Sequence, residues 1–207
     1  MRKNMTALVF MLLLTGCAAP SAPAGASSVK PELAAQVEDM SASMVESSAR
    51  PLLESEVLAA YEWAQRIYGW FDLSPLPTSG QSASIDGETY FPVDMKGIEE
   101  LEDLRNYLRG VFSQELTDRL LDGKSARIRY RDVRGVLCVS GEGRDRNAEK
   151  GAIQVEVEQV DDASYSVNVV VDLLGEDGQT VVGLESWSFP YVFLDDRWVF
   201  TDFRLVY

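Results

Sequence analysis

The 207-residue sequence predicts an α+β fold, with N-terminal helices followed by an antiparallel β-meander in a single domain, and two lobes as the alternative arrangement. Three observations carry this. Apolar residues recur at steps of three and four between Leu53 and Leu121, the spacing of helices with one buried stripe. Beyond Gly123 the period falls to two, the spacing of strands. The two-period segments are joined by short Asp- and Gly-rich links, which suit antiparallel neighbours.

The chain opens with Arg2 and Lys3, a short apolar run from Ala7 to Leu14, and the small pair Thr15-Gly16 directly before Cys17. That run is well short of the roughly 20 residues that cross a bilayer, and no stop-transfer charge follows it. Residues 1–16 therefore read as a secretion signal that is removed. The sequence Leu-Thr-Gly-Cys resembles a bacterial lipobox. The resemblance implies acylation of Cys17 and lasting attachment to a lipid membrane, since each buried methylene contributes about 0.8 kcal/mol and several chains act together. An ordinary signal peptide with a cysteine at its cleavage site is the alternative. Residues 17–49 then form the lipid anchor and a flexible tether. Residues 18–30 are Ala, Ser, Pro and Gly, with no charge before Lys30. In residues 31–48 the helical spacing of Leu33, Val37, Met40, Met44 and Val45 is interleaved with serines, so tether and weak helix both stay open.

The domain proper is expected over residues 50–207. Pro51 suits a first helical turn, and Leu53, Val57, Ala60, Tyr61, Ala64, Tyr68 and Phe71 make one apolar stripe. Residues 74–84, with two prolines and a glycine, read as a loop. Asp86-Gly87 is the signal of a tight hairpin leading into Thr89-Tyr90-Phe91, and Pro92 restricts that piece to an edge or a short strand. Ile98, Leu101, Leu104 and Leu108, then Phe112, Leu116, Leu120 and Leu121, predict two short helices broken around Gly110. Strands are expected over 127–130, 136–140, 152–160, 164–173, 180–193 and 197–207.

Composition removes several functions. There is no histidine, which excludes Ser-His-Asp and Cys-His devices and histidine-containing metal sites within this sequence. Without Arg2 and Lys3 the chain holds 17 basic against 33 acidic residues. Nucleic acid is not an expected partner, because binding it depends on basic patches; acidity of this size steers cationic partners instead. Once Cys17 is acylated, only Cys138 is left, so no intramolecular disulfide forms. No cofactor is expected.

Each candidate site has a plainer counterpart. Arg127, Arg129 and Arg131 alternate on one strand face as an anion-binding ladder, or as partners of Gln154, Glu156 and Glu158 across a sheet, the favoured reading. Gly141-Glu142-Gly143 lacks the third glycine of a phosphate loop, since Arg146 stands there. Cys138 lies in an apolar run, as a small core residue does. Asp94, Glu99, Glu100, Glu102 and Asp103 crowd a helix start, where acids complement the helix dipole or form an interaction surface. Trp187, Phe189, Tyr191 and Phe193, with Trp198 and Phe200, read as sheet core, with an apolar ligand cavity as the alternative.

The stretch GETYFPVD, Gly87 to Asp94, followed by IEELEDLRNYLRGVFSQELTDRLL, Ile98 to Leu121, resembles the DL-endopeptidase inhibitor (IseA-type) family of bacterial cell-envelope proteins. The closing DDRWVFTDF suits the family's second half. The resemblance implies a two-lobed α+β protein, not an enzyme, that binds the catalytic domain of a peptidoglycan DL-endopeptidase and blocks wall cutting. On that reading Tyr90 and Phe91, with Asp94, Glu99, Glu100, Glu102 and Asp103, form the surface set against a basic enzyme cleft. A lipobox departs from the secreted form of the family and implies action at the membrane side of the wall. The element order is also similar to cone-shaped folds of the nuclear transport factor 2 type, which host ligand-binding and envelope-assembly modules. That likeness is architectural and does not fix function.

Overall fold

The computed structural model describes residues 50–122, 129–141 and 143–207. The expectations for residues 1–49, lipid attachment of Cys17 among them, and for Arg127 lie outside the described residues. The fold is α+β and comprises, among the described residues, three helices and two antiparallel sheets of four strands each.

Helix α1 spans Glu54–Gly69. Its first turn is fixed by Glu56, whose carboxylate accepts the Leu53 N–H at 2.7 Å and the Arg50 guanidinium at 2.6 Å, satisfying a donor that a helix start leaves orphaned. Leu53 belongs to the turn before the helix, and its side chain faces solvent instead of joining the apolar stripe. The stripe that is buried consists of Val57, Tyr61, Ala64 and Ile67. The chain then turns sharply, with the Gly69 carbonyl accepting the N–H of Leu73 and of Ser74.

Helices α2 (Leu101–Arg109) and α3 (Gln114–Leu121) bury Leu104 and Leu108, and Leu116, Leu120 and Leu121, respectively. Arg105 of α2 forms an ion pair with Asp118 of α3. The link between them enters the sheet: Ser113 donates to the Phe200 carbonyl at 2.9 Å, and Phe200 to the Val111 carbonyl at 3.0 Å.

Strands β1 (Ala83–Ile85), β2 (Glu88–Pro92), β3 (Tyr130–Asp132) and β4 (Leu137–Ser140) form the first sheet in the order β1-β2-β4-β3. Its hairpin turn is Asp86-Gly87, both with positive φ (54° and 83°), the backbone that twists with the flanking strands. Pro92 closes β2 as a short strand.

Strands β5 (Lys150–Asp161), β6 (Ser164–Leu174), β7 (Val181–Leu194) and β8 (Arg197–Phe200) are the meander, each pairing with the next. The Asp195-Asp196 link between β7 and β8 has both residues at positive φ, which Asp tolerates better than most side chains. Because β3 and β5 belong to different sheets, Gln154, Glu156 and Glu158 do not face Arg129 and Arg131. Arg131 pairs instead with Asp86, at 3.0 Å across the first sheet.

The core lies between the inner face of the meander and the helices. Val167, Val169 and Val171 of β6 and Phe189 and Tyr191 of β7 are buried there. Phe203 stacks among Tyr61, Phe112, Phe189 and Phe200, with ring centroids 4.9 to 5.8 Å apart. The alternating aromatics are thus core side chains. Cys138 is buried too, and burial pushes its thiol pKa up, the opposite of what a nucleophile needs.

Candidate functional site

The segment 73–78 is tied to the C-terminal end of α1 through Tyr130. The Tyr130 hydroxyl donates to the Trp70 carbonyl at 3.0 Å and accepts the Leu76 N–H at 3.0 Å. Further along, Ser79 donates to the Pro92 carbonyl and Asp94 to the Pro77 carbonyl at 2.7 Å. Pro75 and Pro77 limit the backbone freedom of this segment, so it stands as a fixed wall beside the first sheet.

An open groove of about 920 Å³ runs between that wall and the sheet, lined by Pro75 and Pro77 on one side and by Thr89, Phe91 and Val139 on the other. Phe91 is 40 % exposed, a large apolar ring facing solvent. Its register partner Val139 lies across the β2–β4 ladder on the same face. Glu88 is the one ionisable side chain among the described lining residues.

The sequence grouped Tyr90 with Phe91 as surface, and the structure corrects this. Adjacent strand residues point to opposite faces, and Tyr90 is 2 % exposed, with the Arg131 guanidinium 5.6 Å from its ring centroid. Asp103 is also otherwise engaged: its carboxylate accepts the N–H of Glu99 and of Glu100 at 3.0 and 2.9 Å, which starts α2. Asp94, Glu99, Glu100 and Glu102 are exposed, and Glu102 lies 3.4 Å from Arg105.

Two backbone bonds gather those acids at one end of the sheet. Leu137 donates to the Glu99 carbonyl at 2.8 Å, and Val93 donates to the Leu137 carbonyl at 2.9 Å. The start of α2 and the exit of β2 therefore sit beside the same residue, with Asp94 on one side and Glu99 and Glu100 on the other. What the sequence did not identify is the proline wall opposite Phe91. The signal was the Pro-rich segment itself, read only as a loop.

Among the described residues no group of three or more Cys, Asp or Glu side chains is placed to hold a metal ion. No helix among them is long and apolar enough to cross a membrane. No protein-family model matches the chain, and no curated protein matches it in sequence.

Proposed function

We propose that this protein is a membrane-anchored, extracytoplasmic lipoprotein that binds and inhibits a peptidoglycan DL-endopeptidase. The observation that carries the reading is the juxtaposition of the exposed Phe91 in its groove with the acids Asp94, Glu99 and Glu100 at the end of the same sheet. An aromatic anchor beside a charged rim is the usual anatomy of a protein-binding surface, and acids suit a basic cleft. The alternative, a ligand-binding or envelope-assembly cone, has less support, since the rings of Tyr61, Phe189, Phe200 and Phe203 occupy the inner side of the meander.

The test is digestion of peptidoglycan by purified DL-endopeptidases in the presence of the full chain in detergent micelles. Dose-dependent loss of cleavage is expected, weakened by salt and by the double substitution Glu99→Lys, Glu100→Lys. No inhibition across several such enzymes would overturn the proposal. Anchoring is tested separately: Cys17→Ser should abolish incorporation of labelled fatty acid and release the protein from membranes.

A further inference from the structure

A second groove opens on the other side of segment 73–75. It is an open cleft of about 640 Å³, with Glu62, Gln65 and Arg66 of α1, Trp70, Arg146 and Tyr207 among its lining residues.

Its far wall is clamped in place. Arg144 binds the Asp72 carboxylate through Nε at 2.8 Å and Nη2 at 2.7 Å, and its own N–H donates to the Asp72 carbonyl at 3.0 Å. Gly143 is pressed against the same turn so closely that a Cβ there would stand 1.3 Å from the Leu73 carbonyl oxygen. Arg144 Nη2 also reaches the Tyr207 carbonyl at 3.2 Å. The clamp presents Arg146, whose guanidinium lies 4.4 Å from the centre of the Tyr207 ring.

The electrostatics of this cleft run against the rest of the chain. Acids outnumber bases 33 to 19 in the whole sequence. Yet no side-chain carboxylate of the described residues lies within 4.0 Å of the Arg66 or the Arg146 guanidinium. Two guanidinium forks with no described side-chain carboxylate within 4.0 Å therefore line one cleft, beside the partly exposed indole of Trp70.

We infer that this cleft binds the free carboxylate of a short peptide, with Arg66 and Arg146 as its oxyanion partners. A planar guanidinium matches a carboxylate with two parallel hydrogen bonds. Trp70 and Pro75 give the last side chain an apolar surface. Glu62 stands one helical turn before Arg66, on the same face. It disfavours a dianion such as phosphate and complements the ammonium group of a zwitterionic peptide. The inference stands independently of the inhibitor reading.

The probe is the dipeptide Ala-Leu, titrated into the isotopically labelled full chain in micelles and followed by NMR at the Trp70 indole and the Gln65 side-chain amide. Saturable shifts are expected at both, lost when Ala-Leu amide replaces the free acid. Arg66→Gln and Arg146→Gln should each weaken binding about tenfold, the loss of one charge-assisted bond, with the thermal midpoint unchanged because both side chains are exposed. N-acetyl-Ala-Leu should bind more weakly than Ala-Leu. Equal response to the amide, or inorganic phosphate competing as well as the dipeptide, would overturn the assignment, as would absence of saturable shifts.

Discussion

Tyr165 and the Leu52 backbone hold each other through both available groups: the Leu52 N–H donates to the Tyr165 hydroxyl at 2.8 Å, and that hydroxyl donates to the Leu52 carbonyl at 3.0 Å. The pair ties the segment leading into α1 to strand β6, 113 residues later in the chain. Tyr165→Phe keeps the ring in the core and removes both bonds, leaving two partly buried backbone groups without their partner. The expected cost is roughly 1 to 3 kcal/mol. Urea unfolding should show a lowered midpoint at unchanged m-value; an unchanged midpoint would mean that water replaces the hydroxyl without loss.

Gly143 makes a sharper test of local packing. Nothing about its backbone demands glycine; the space does, since a Cβ would lie 1.3 Å from the Leu73 carbonyl oxygen. Gly143→Ala must therefore push the loop off the 72–74 turn and pull Arg144 from Asp72. Overpacking of this kind costs about 1 to 3 kcal/mol. Gly178→Ala is the control: it meets nothing within 4 Å but has a φ of +67°, so its cost is the left-handed backbone strain alone, about 1 to 2 kcal/mol. The Arg144 Nε–H, bonded to Asp72 at 2.8 Å, should exchange with solvent faster by NMR in the Gly143 variant than in the parent, and at an unchanged rate in the control.

These two sites show where reading the sequence stops. Helix α1 was legible because Val57, Tyr61 and Ala64 repeat at the helical period, and the β1–β2 hairpin because Asp86-Gly87 supports a backbone that few pairs tolerate. Both signals are local. The division of the strands into two sheets was not legible, because β3 and β4 are three and four residues long and their partners are set by the distant register Tyr90↔Ser140. The same gap placed Arg131 opposite the acids of β5 rather than Asp86. For the groove, the sequence grouped Tyr90 with Phe91 as one surface; adjacent strand residues point to opposite faces, and the sequence does not say which of the two is covered. That depends on the wall at Pro75 and Pro77, anchored by Tyr130 from far along the chain. Gly143 raised the idea of a phosphate loop, whereas its role is close approach to another backbone.

The β6–β7 turn gives a prediction about acid. Asp177 accepts from the Thr180 hydroxyl and from the N–H of Thr180 and Gln179, and these bonds, the hydroxyl first, pull its carboxyl down from the ordinary 3.8 to about 2. A carboxyl depressed in the folded state stabilises the turn fully above 3.8, and that contribution is lost as pH falls from 3.8 toward about 2. The Asp177 side-chain carbon should titrate with the lower midpoint, and the Thr180 amide shift should follow it. In Asp177→Asn the turn keeps an acceptor oxygen but has nothing to titrate, so the Thr180 shift should stay flat through the same range. A midpoint at the ordinary value would show that the carboxylate is not held as described.

The contrast between Tyr90 and Phe91 separates fold from binding. Both are aromatic and adjacent, yet Tyr90 is 2 % exposed and Phe91 40 %. Tyr90→Ala should empty a packed site and lower stability by roughly 3 to 5 kcal/mol, the usual loss for a buried aromatic. Phe91→Ala removes a ring that is already partly hydrated and lines an open groove, so its unfolding midpoint should shift little. If the groove is the inhibitory surface, however, Phe91→Ala should weaken inhibition of the DL-endopeptidase at least tenfold, the behaviour of a central aromatic anchor worth more than about 1.4 kcal/mol. Charge reversal at Glu99 and Glu100 should act differently, slowing association and making inhibition less sensitive to salt. A Phe91→Ala protein that inhibits as well as the parent would remove the groove from the proposal while leaving the acidic end of the sheet as the contact.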